Sequence, residues 1–429
     1  MSFAKKTMRE CDLVGKRVLL RADYNVPLDE KGAIVDDYRV RQSIPTIEYL
    51  LEQGASILIC SHLGRPDGKP NDTESLFPVA KCLQDLLGRP VTFVADCVGE
   101  RAEKIAASMK PGAIVLLENL RFHAGEEAND TEFARQLAAL AQVFVQDGFG
   151  VVHRAHASTD AVTKFLPSVA GLLLEREVDT ITRVMENPER PLIAVVGGAK
   201  IADKIEILQR FIQIADVVAV GGAMANTFLQ ASGLAVAKSK TDTEDLPLAK
   251  EILFTARKES KKRDFVFYLP QDGVVANKLD STVQTRIVDW SANVIADIES
   301  YPKRPSHDSN RLRSDEMILD IGPFSGAFIA GMIQLAGTVV WNGAMGVTET
   351  KGLQGPVGPF AHGTELLTEA MLGQFGNKPF TVVGGGDTVG YIEDRGLVAI
   401  FDHVSTGGGA SLELMSGRTL PGVAALEDA

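Results

Sequence analysis

Hydrophobic residues along the chain fall in short runs, each closed by glycine or polar residues and followed by a stretch with helical spacing. In the first half, Val18–Leu20, Ser56–Cys60, Ala113–Leu117 and Val143–Val145 predict strands. In the second, Leu192–Val196, Val217–Val220, Val339–Trp341 and Thr381–Val383 do the same. Apolar runs alternating with helical periodicity are the signature of α/β units around a parallel sheet. The stretch from Pro191 to Lys204, PLIAVVGGAKIADK, shows the unit most clearly. Gly197 and Gly198 stop the strand, and Ile201, Ile205, Leu208 and Ile212 then line one helical face. Lys200 and Lys204 fall in the predicted first turn of that helix. The dipole there is positive, so cations fit only if an anion sits beside them; otherwise this is an ordinary turn with two solvated lysines.

The strand exits of the first half share a chemistry. Arg21, Arg65, Arg121 and Arg154 each follow an apolar run, and Arg39 lies in a nearby polar loop. Ligands of open α/β sheets bind outside the carboxyl ends of the strands, and guanidinium groups match phosphate and carboxylate bidentately. Five arginines so placed point to a small, multiply charged anion. His62, between a strand and an arginine, suits a donor to an oxyanion, and Asp23 and Asn25 suit hydroxyl groups or a turn cap. His153 and His156 have the i, i+3 spacing of a helical face, but no further ligand stands at a spacing that completes a metal site around them, His62 or His123.

Second-half exits are glycine-rich instead: Gly221-Gly222, Asn342-Gly343, Gly384-Gly385-Gly386-Asp387-Thr388 and Gly407-Gly408-Gly409. Without Cβ atoms a flat ring or a phosphate chain can approach backbone N–H groups, which suits a nucleotide. Asp387 suits a divalent metal held through the phosphates. The chain has no GxxxxGK[ST] loop, no GxGxxG fingerprint and no HRD or DFG motif. Pro167 to Asn187 predicts a long amphipathic helix, stopped by Pro188 and Pro191, that would connect two α/β arrays. Glu299–Ser314 and Thr350–Pro359 read as surface loops.

Composition narrows the partners. The 429 residues suit two or three domains at about 150 residues each. A net charge of −12 argues against nucleic acid as a bulk partner. The four cysteines (Cys11, Cys60, Cys82, Cys97) form no CxxC pair and no zinc spacing, so reduced thiols in a cytoplasmic protein are expected. The N-terminus lacks the apolar core of a signal peptide, and no run is long enough to span a bilayer.

The chain resembles the phosphoglycerate kinases from about Val14 to Pro421. The motifs that carry the likeness are RADYNVP from Arg21, SHLGRPDG from Ser61, LLENLRFHAGEE from Leu116 and DGFGVVHRAHAS from Asp147. GGAKIADK from Gly197, VVWNGAMGVTE from Val339, GGGDT from Gly384 and STGGGASLE from Ser405 complete them, in family order. The resemblance implies an α/β fold of two doubly wound, Rossmann-like parallel-sheet domains facing each other across a hinged cleft. Residues 1–172 would bind phosphoglycerate, 173–187 would be the interdomain helix, and 188–410 would bind Mg-nucleotide, with the tail 411–429 returning to the first domain.

The implied reaction is reversible phosphoryl transfer from 1,3-bisphosphoglycerate to ADP, by a cytoplasmic monomer using Mg2+. Asp23, Asn25, Arg39, His62, Arg65, Arg121 and Arg154 would bind 3-phosphoglycerate, and Arg39 and Lys200 would stabilise the group in flight. Gly198, Ala199, Lys204, Gly221, Gly222, Asn342, Glu349, Gly386, Asp387 and Thr388 would bind nucleotide, with Asp387 holding the metal. Departures from the family pattern are Tyr24 for Phe, Gln146 and Gly148 in an Asn-Asp-Ala-Phe-Gly run, Val151-Val152, and Ala344 for Pro. The alternatives are a non-catalytic relative that keeps the fold, and a two-domain nicotinamide-dependent oxidoreductase, which the missing GxGxxG disfavours.

Overall fold

The computed structural model describes residues 3–290, 311–353, 355 and 357–429. The chain divides into two compact units, Met1–Thr182 with Gly409–Ala429, and Arg183–Gly408.

The first unit is built on strands β1 (Arg17–Arg21), β2 (Ser56–Cys60), β3 (Thr92–Val94), β4 (Ile114–Leu117), β5 (Val143–Gln146) and β6 (Ser168–Ala170). All neighbours pair in parallel, in the order β3-β4-β2-β1-β5-β6. Every residue of β2, β4 and β5 is buried. This explains the unbroken apolar runs in the sequence, because a parallel sheet is covered on both faces. Helices Tyr38–Glu52 and Phe77–Leu87 turn Val40, Ile47, Leu50, Val79 and Leu83 into the same core as Val18, Leu20 and Ile57. The last residues of the chain belong to this unit. Lys6 N donates to Glu427 O at 2.8 Å, Gly422 N donates to Val152 O at 2.9 Å, and Lys5 Nζ donates to Leu426 O at 2.9 Å.

The second unit holds β7 (Leu192–Val196), β8 (Val217–Val220), β9 (Val266–Tyr268), β10 (Asp272–Ala276), β11 (Arg286–Asp289), β12 (Met317–Ile321), β13 (Thr338–Asn342), β14 (Phe380–Gly384) and β15 (His403–Val404). Six of them form a parallel sheet in the order β15-β14-β13-β7-β8-β9. The chain winds outward from β7 through β8 to β9, then returns to β13 and winds the other way. Its direction therefore reverses between β7 and β13, the place where open α/β sheets bind ligands. Strands β10, β11 and β12 form a separate antiparallel sheet, which the apolar-run pattern does not predict.

The structure corrects four local readings. Arg39 lies not in a polar loop but in the first turn of the helix Tyr38–Glu52, with Asp37 at its N-cap position, so its guanidinium is carried on a fixed backbone. Pro167–Asn187 is not all helix: Ser168–Ala170 is the edge strand β6, and the helix runs from Leu172 to Glu186. Asp147 helps to start it, accepting hydrogen bonds from the N–H groups of Leu173 and Leu174. His153 and His156 share no helical face, since only a single 3-10 turn, Phe149–Val151, precedes them. Lys200 and Lys204 are not in the first turn of an α-helix; a 3-10 turn, Ala202–Lys204, intervenes and the helix begins at Ile205. Of the expected surface loop Glu299–Ser314, residues 299–310 lie outside the described residues, as do 354 and 356 within Thr350–Pro359.

Candidate active site

In the first unit the exits of β1, β2, β4 and β5 lie on four successive strands of the sheet, so their polar residues converge. Asp23 is buried and its Oδ2 lies 3.1 Å from Arg39 Nη1. Arg39 Nη1 also donates to Asn25 O at 3.3 Å, while Asn25 Oδ1 accepts from Gly64 N at 2.9 Å. Arg121 Nη1 donates to Gly64 O at 2.8 Å, which ties the β4 exit to the β2 exit. The structure thus joins Asp23, Asn25, Arg39 and Arg121 through one short loop, with His62 Nδ1 3.9 Å from Asp23 Oδ1. Arg65 and Arg154 are exposed, and Arg154 Nε contacts His153 Nε2 at 3.3 Å.

Burial works against the Asp23 charge, but the neighbouring guanidinium groups, Arg39 above all, outweigh it and hold the carboxyl below its ordinary range. Burial also holds the His62 imidazole well below its ordinary range; Asp23 pulls the other way, and Arg21, Arg121 and Arg39 deepen the depression. His62 is therefore neutral at pH 7, able to donate one hydrogen bond without adding charge.

Arg21 departs from the sequence reading. It is 1 % exposed, donates from Nε to Ser158 Oγ at 2.8 Å and faces the buried Glu126 carboxylate. It braces the site from beneath and presents no guanidinium to a ligand. Sequence reasoning also passed over Glu126, whose position in GEE carries no sign that its side chain is fully buried. Tyr24, a departure from the family pattern, is buried with its hydroxyl 2.8 Å from Ser43 Oγ, so the extra oxygen has a partner.

In the second unit the turns after β7 and β13 interlock. Lys204 Nζ donates to Gly197 O (2.6 Å), Asn342 O (2.9 Å) and Asn342 Oδ1 (2.5 Å). A Cβ on Gly197 would sit 2.0 Å from Ala344 O, and one on Gly222 would sit 2.7 Å from Gly198 N. These two glycines are thus required by the close approach of three backbone turns. Thr388 Oγ1 accepts from Gly343 N at 2.7 Å and closes the floor. Burial lowers the Lys204 ammonium to about 8, while Asp387 and Asp203 support its charge. It contacts only carbonyl oxygens here, so its positive charge remains available to an anion.

Over this floor lies a pocket of about 470 Å³ lined by Gly198, Ala199, Gly222, Glu349 and Asp387, and also by Asn226, Lys240 and Asp320. The last three gave no signal in sequence. Lys204, Gly221, Asn342, Gly386 and Thr388 are not among its lining residues; Lys204, Asn342 and Thr388 shape the floor beneath it. Lys200 is exposed in the bend before the 3-10 turn. The residues present fit a Mg-nucleotide. Asp387 offers an exposed carboxylate in the first turn of the helix Gly386–Asp394, and Asn342 Nδ2 is a buried donor without a protein acceptor.

The phosphoglycerate kinase family model matches residues 8–418. The chain belongs to the phosphoglycerate kinase family. It is 45% identical to the phosphoglycerate kinase of Moorella thermoacetica over 99% of this chain and all of that protein. It is 44% identical to that of Chloroflexus aggregans over 99% of each. Two solved structures share its fold across 98% of both chains. Phosphoglycerate kinase from Coxiella burnetii has a TM-score of 0.81 at 35% identity, and that from Pyrococcus horikoshii has 0.79 at 28%. This kinase-family chain is accordingly an enzyme, and its two six-stranded parallel sheets are those of its relatives.

Asp320, in the same pocket, is 2 % exposed and accepts from Gly363 N at 2.8 Å and Ile321 N at 2.9 Å. Burial pushes its carboxyl up to about 8, against the pull of these backbone donors. The folded state therefore keeps a proton that the unfolded state releases from about pH 4 upward. Stability from this group is full below pH 4 and is lost as pH rises through 8. Thermal unfolding of wild type and Asp320→Asn, compared from pH 5 to 9, should show the wild type losing stability relative to the variant with rising pH. A pH-independent difference would refute the assignment.

Proposed function

We propose that the chain catalyses reversible phosphoryl transfer from 1,3-bisphosphoglycerate to ADP, yielding 3-phosphoglycerate and ATP, as a cytoplasmic, glycolytic monomer. The observation that carries the reading is the division of labour between the units. One gathers arginines and a neutral histidine at its strand exits; the other gathers glycines, a lysine and a carboxylate around a pocket at its strand reversal. Among the described residues no helix is long and apolar enough to cross a membrane.

Phosphoryl transfer asks a protein mainly for positioning and charge neutralisation. The attacking group, a phosphate oxygen of ADP or a carboxylate, is already anionic, so no general base is needed. Arg65, Arg121 and Arg154 would hold the phosphate and carboxylate of the acid, with His62 and Asn25 fixing its polar groups. Asp23 would hold Arg39 in place through their ion pair. Lys204, through the floor it ties together, would keep the β7 and β13 turns open to the nucleotide phosphates, and Asp387 would hold Mg2+. Bound with nucleotide, the ion supplies neutralisation of phosphate charge. Arg39 and Lys200 lie in different units. Transfer would need the two units to close, bringing both cations to the moving group and keeping water out.

A coupled assay with ATP and 3-phosphoglycerate tests the reading. ADP release that depends on 3-phosphoglycerate is expected. Its absence in a folded, nucleotide-binding sample would indicate a non-catalytic relative, and a nicotinamide absorbance change with a 2-hydroxy acid would point to an oxidoreductase.

A further inference from the structure

Ligand spacing hides one cluster that the fold assembles. Asp96 and Cys97 follow β3, and His123 follows the turn Leu120–Phe122 after β4. These strands are parallel neighbours, with Val94 opposite Leu117, so their carboxyl ends lie side by side. One ligand atom from each of Asp96, Cys97 and His123 lies within 4.8 Å of the other two. His123 Nε2 is 2.8 Å from Asp96 Oδ1.

The cluster has the layout of a coordination site. Cys97 is fully buried and forms its base, while the Asp96 and His123 side chains are 43% and 34% exposed at its rim. Each rim residue is already oriented. The His123 ring stacks on Phe133, with centroids 5.1 Å apart and planes at 26°. Asp96 Oδ1 accepts from Cys97 N at 2.7 Å and from Val98 N at 3.4 Å, which fixes the carboxylate against the backbone that carries the thiol. His123 also lines an open pocket of about 590 Å³, which gives solvent a route to the rim. Arg121, two residues earlier, directs its guanidinium to Gly64 O and the Glu127 carboxylate, so the cluster does not share its anion-directed neighbours.

We propose that Asp96, Cys97 and His123 form a three-ligand site for a borderline divalent transition metal, Zn2+ in the first instance, with water as the fourth ligand. Mixed sulfur, nitrogen and oxygen donors suit zinc, whereas Mg2+ and Ca2+ take oxygen alone. Tetrahedral bonds of about 2.0–2.3 Å put ligand atoms roughly 3.3–3.6 Å apart. The His123–Asp96 separation must therefore open slightly and Cys97 Sγ must move in, both within side-chain reach. On binding, the thiol proton passes to solvent and sulfur binds as thiolate. His123 Nε2–H, which donates to the Asp96 carboxylate in the free site, also gives up its proton: the neutral ring carries its hydrogen on Nδ1 instead, and the freed Nε2 lone pair binds the ion.

The test uses the full chain, stripped of metal and free of nucleotide. Zn2+ titrated against a chromogenic chelator should bind one tight equivalent. Co2+ in its place should give the near-ultraviolet charge-transfer band of a thiolate ligand. Cys97→Ser should abolish that band, and Cys82→Ser should leave it intact. His123→Gln should weaken Zn2+ binding at least tenfold. So should Asp96→Asn, which retains an oxygen acceptor for Cys97 N. A missing band in wild type, or a band that survives Cys97→Ser, would overturn the proposal. If Cys97→Ser does not fold, the two rim variants decide, and unchanged Zn2+ affinity in both would overturn it.

Discussion

Lys200→Ala is expected to lower turnover by about 10²–10³-fold, roughly 3–4 kcal/mol of transition-state stabilisation, the scale of losing one preorganised donor. The Michaelis constants for both substrates should change little, because an interaction made only in the transition state leaves ground-state binding intact. Lys200 is exposed on the bend after β7, so its removal should leave thermal stability unchanged. Lys204→Ala provides the contrast. It removes three hydrogen bonds that tie the β7 turn to the β13 turn. The nucleotide Michaelis constant should therefore rise and the second unit should lose stability. Arg39→Ala should match Lys200→Ala in turnover, yet not so cleanly. It takes away the main charge that keeps Asp23 ionised while buried, so the acid substrate's binding should also acquire a new pH dependence. Steady-state kinetics of the three variants, each checked by thermal unfolding, separates these roles. Near-wild-type turnover in folded Lys200→Ala would remove that residue from the chemistry.

Most strands were legible because the parallel sheets are covered on both faces. Leu192–Val196 and Val217–Val220 were read to the residue, since nothing polar interrupts them and glycine or aspartate ends them. The edge strand Ser168–Ala170 was missed for the converse reason. It is three residues long and lies against the N-terminus of the helix, so periodicity reads it as helix. The antiparallel strands β10 to β12 were missed because Asp272, Asp289 and Asp320 break their apolar pattern; Asp272 is instead satisfied by Ser325 and the N–H of Phe324. In the site, exits ending in arginine or glycine were readable as kinds of chemistry. Which arginine faces a ligand was not: Arg21 and Arg65 occupy similar sequence positions, yet one is buried against a carboxylate and the other exposed. The zinc-type cluster was illegible for a related reason, since only the pairing of β3 with β4 brings His123 beside Asp96.

That buried guanidinium leads to the largest expected effect on stability. Glu126 is fully buried, and its Oε1 accepts from Ser158 Oγ at 2.6 Å and lies 3.8 Å from Arg21 Nη2. Its Oε2 accepts from Ser158 N at 3.0 Å. Glu126→Ala would leave Arg21 charged, buried and without its counter-ion, and should cost about 3–5 kcal/mol. Burial pushes the Glu126 carboxyl up, and Arg21 is the first of the groups that oppose it, so each member of the pair depends on the other. Replacing both, as Arg21→Met with Glu126→Leu, removes the two charges together and should recover much of the loss. Activity should not recover with it. Arg21 Nη2 lies 3.4 Å from His62 Nδ1 and is one of the charges that hold His62 neutral, so the double variant should raise the pH at which His62 takes up a proton. Denaturant unfolding of both variants, with a pH profile of the double one, tests the account. A cost below about 1 kcal/mol for Glu126→Ala would be that of an exposed pair and would contradict the buried one described here.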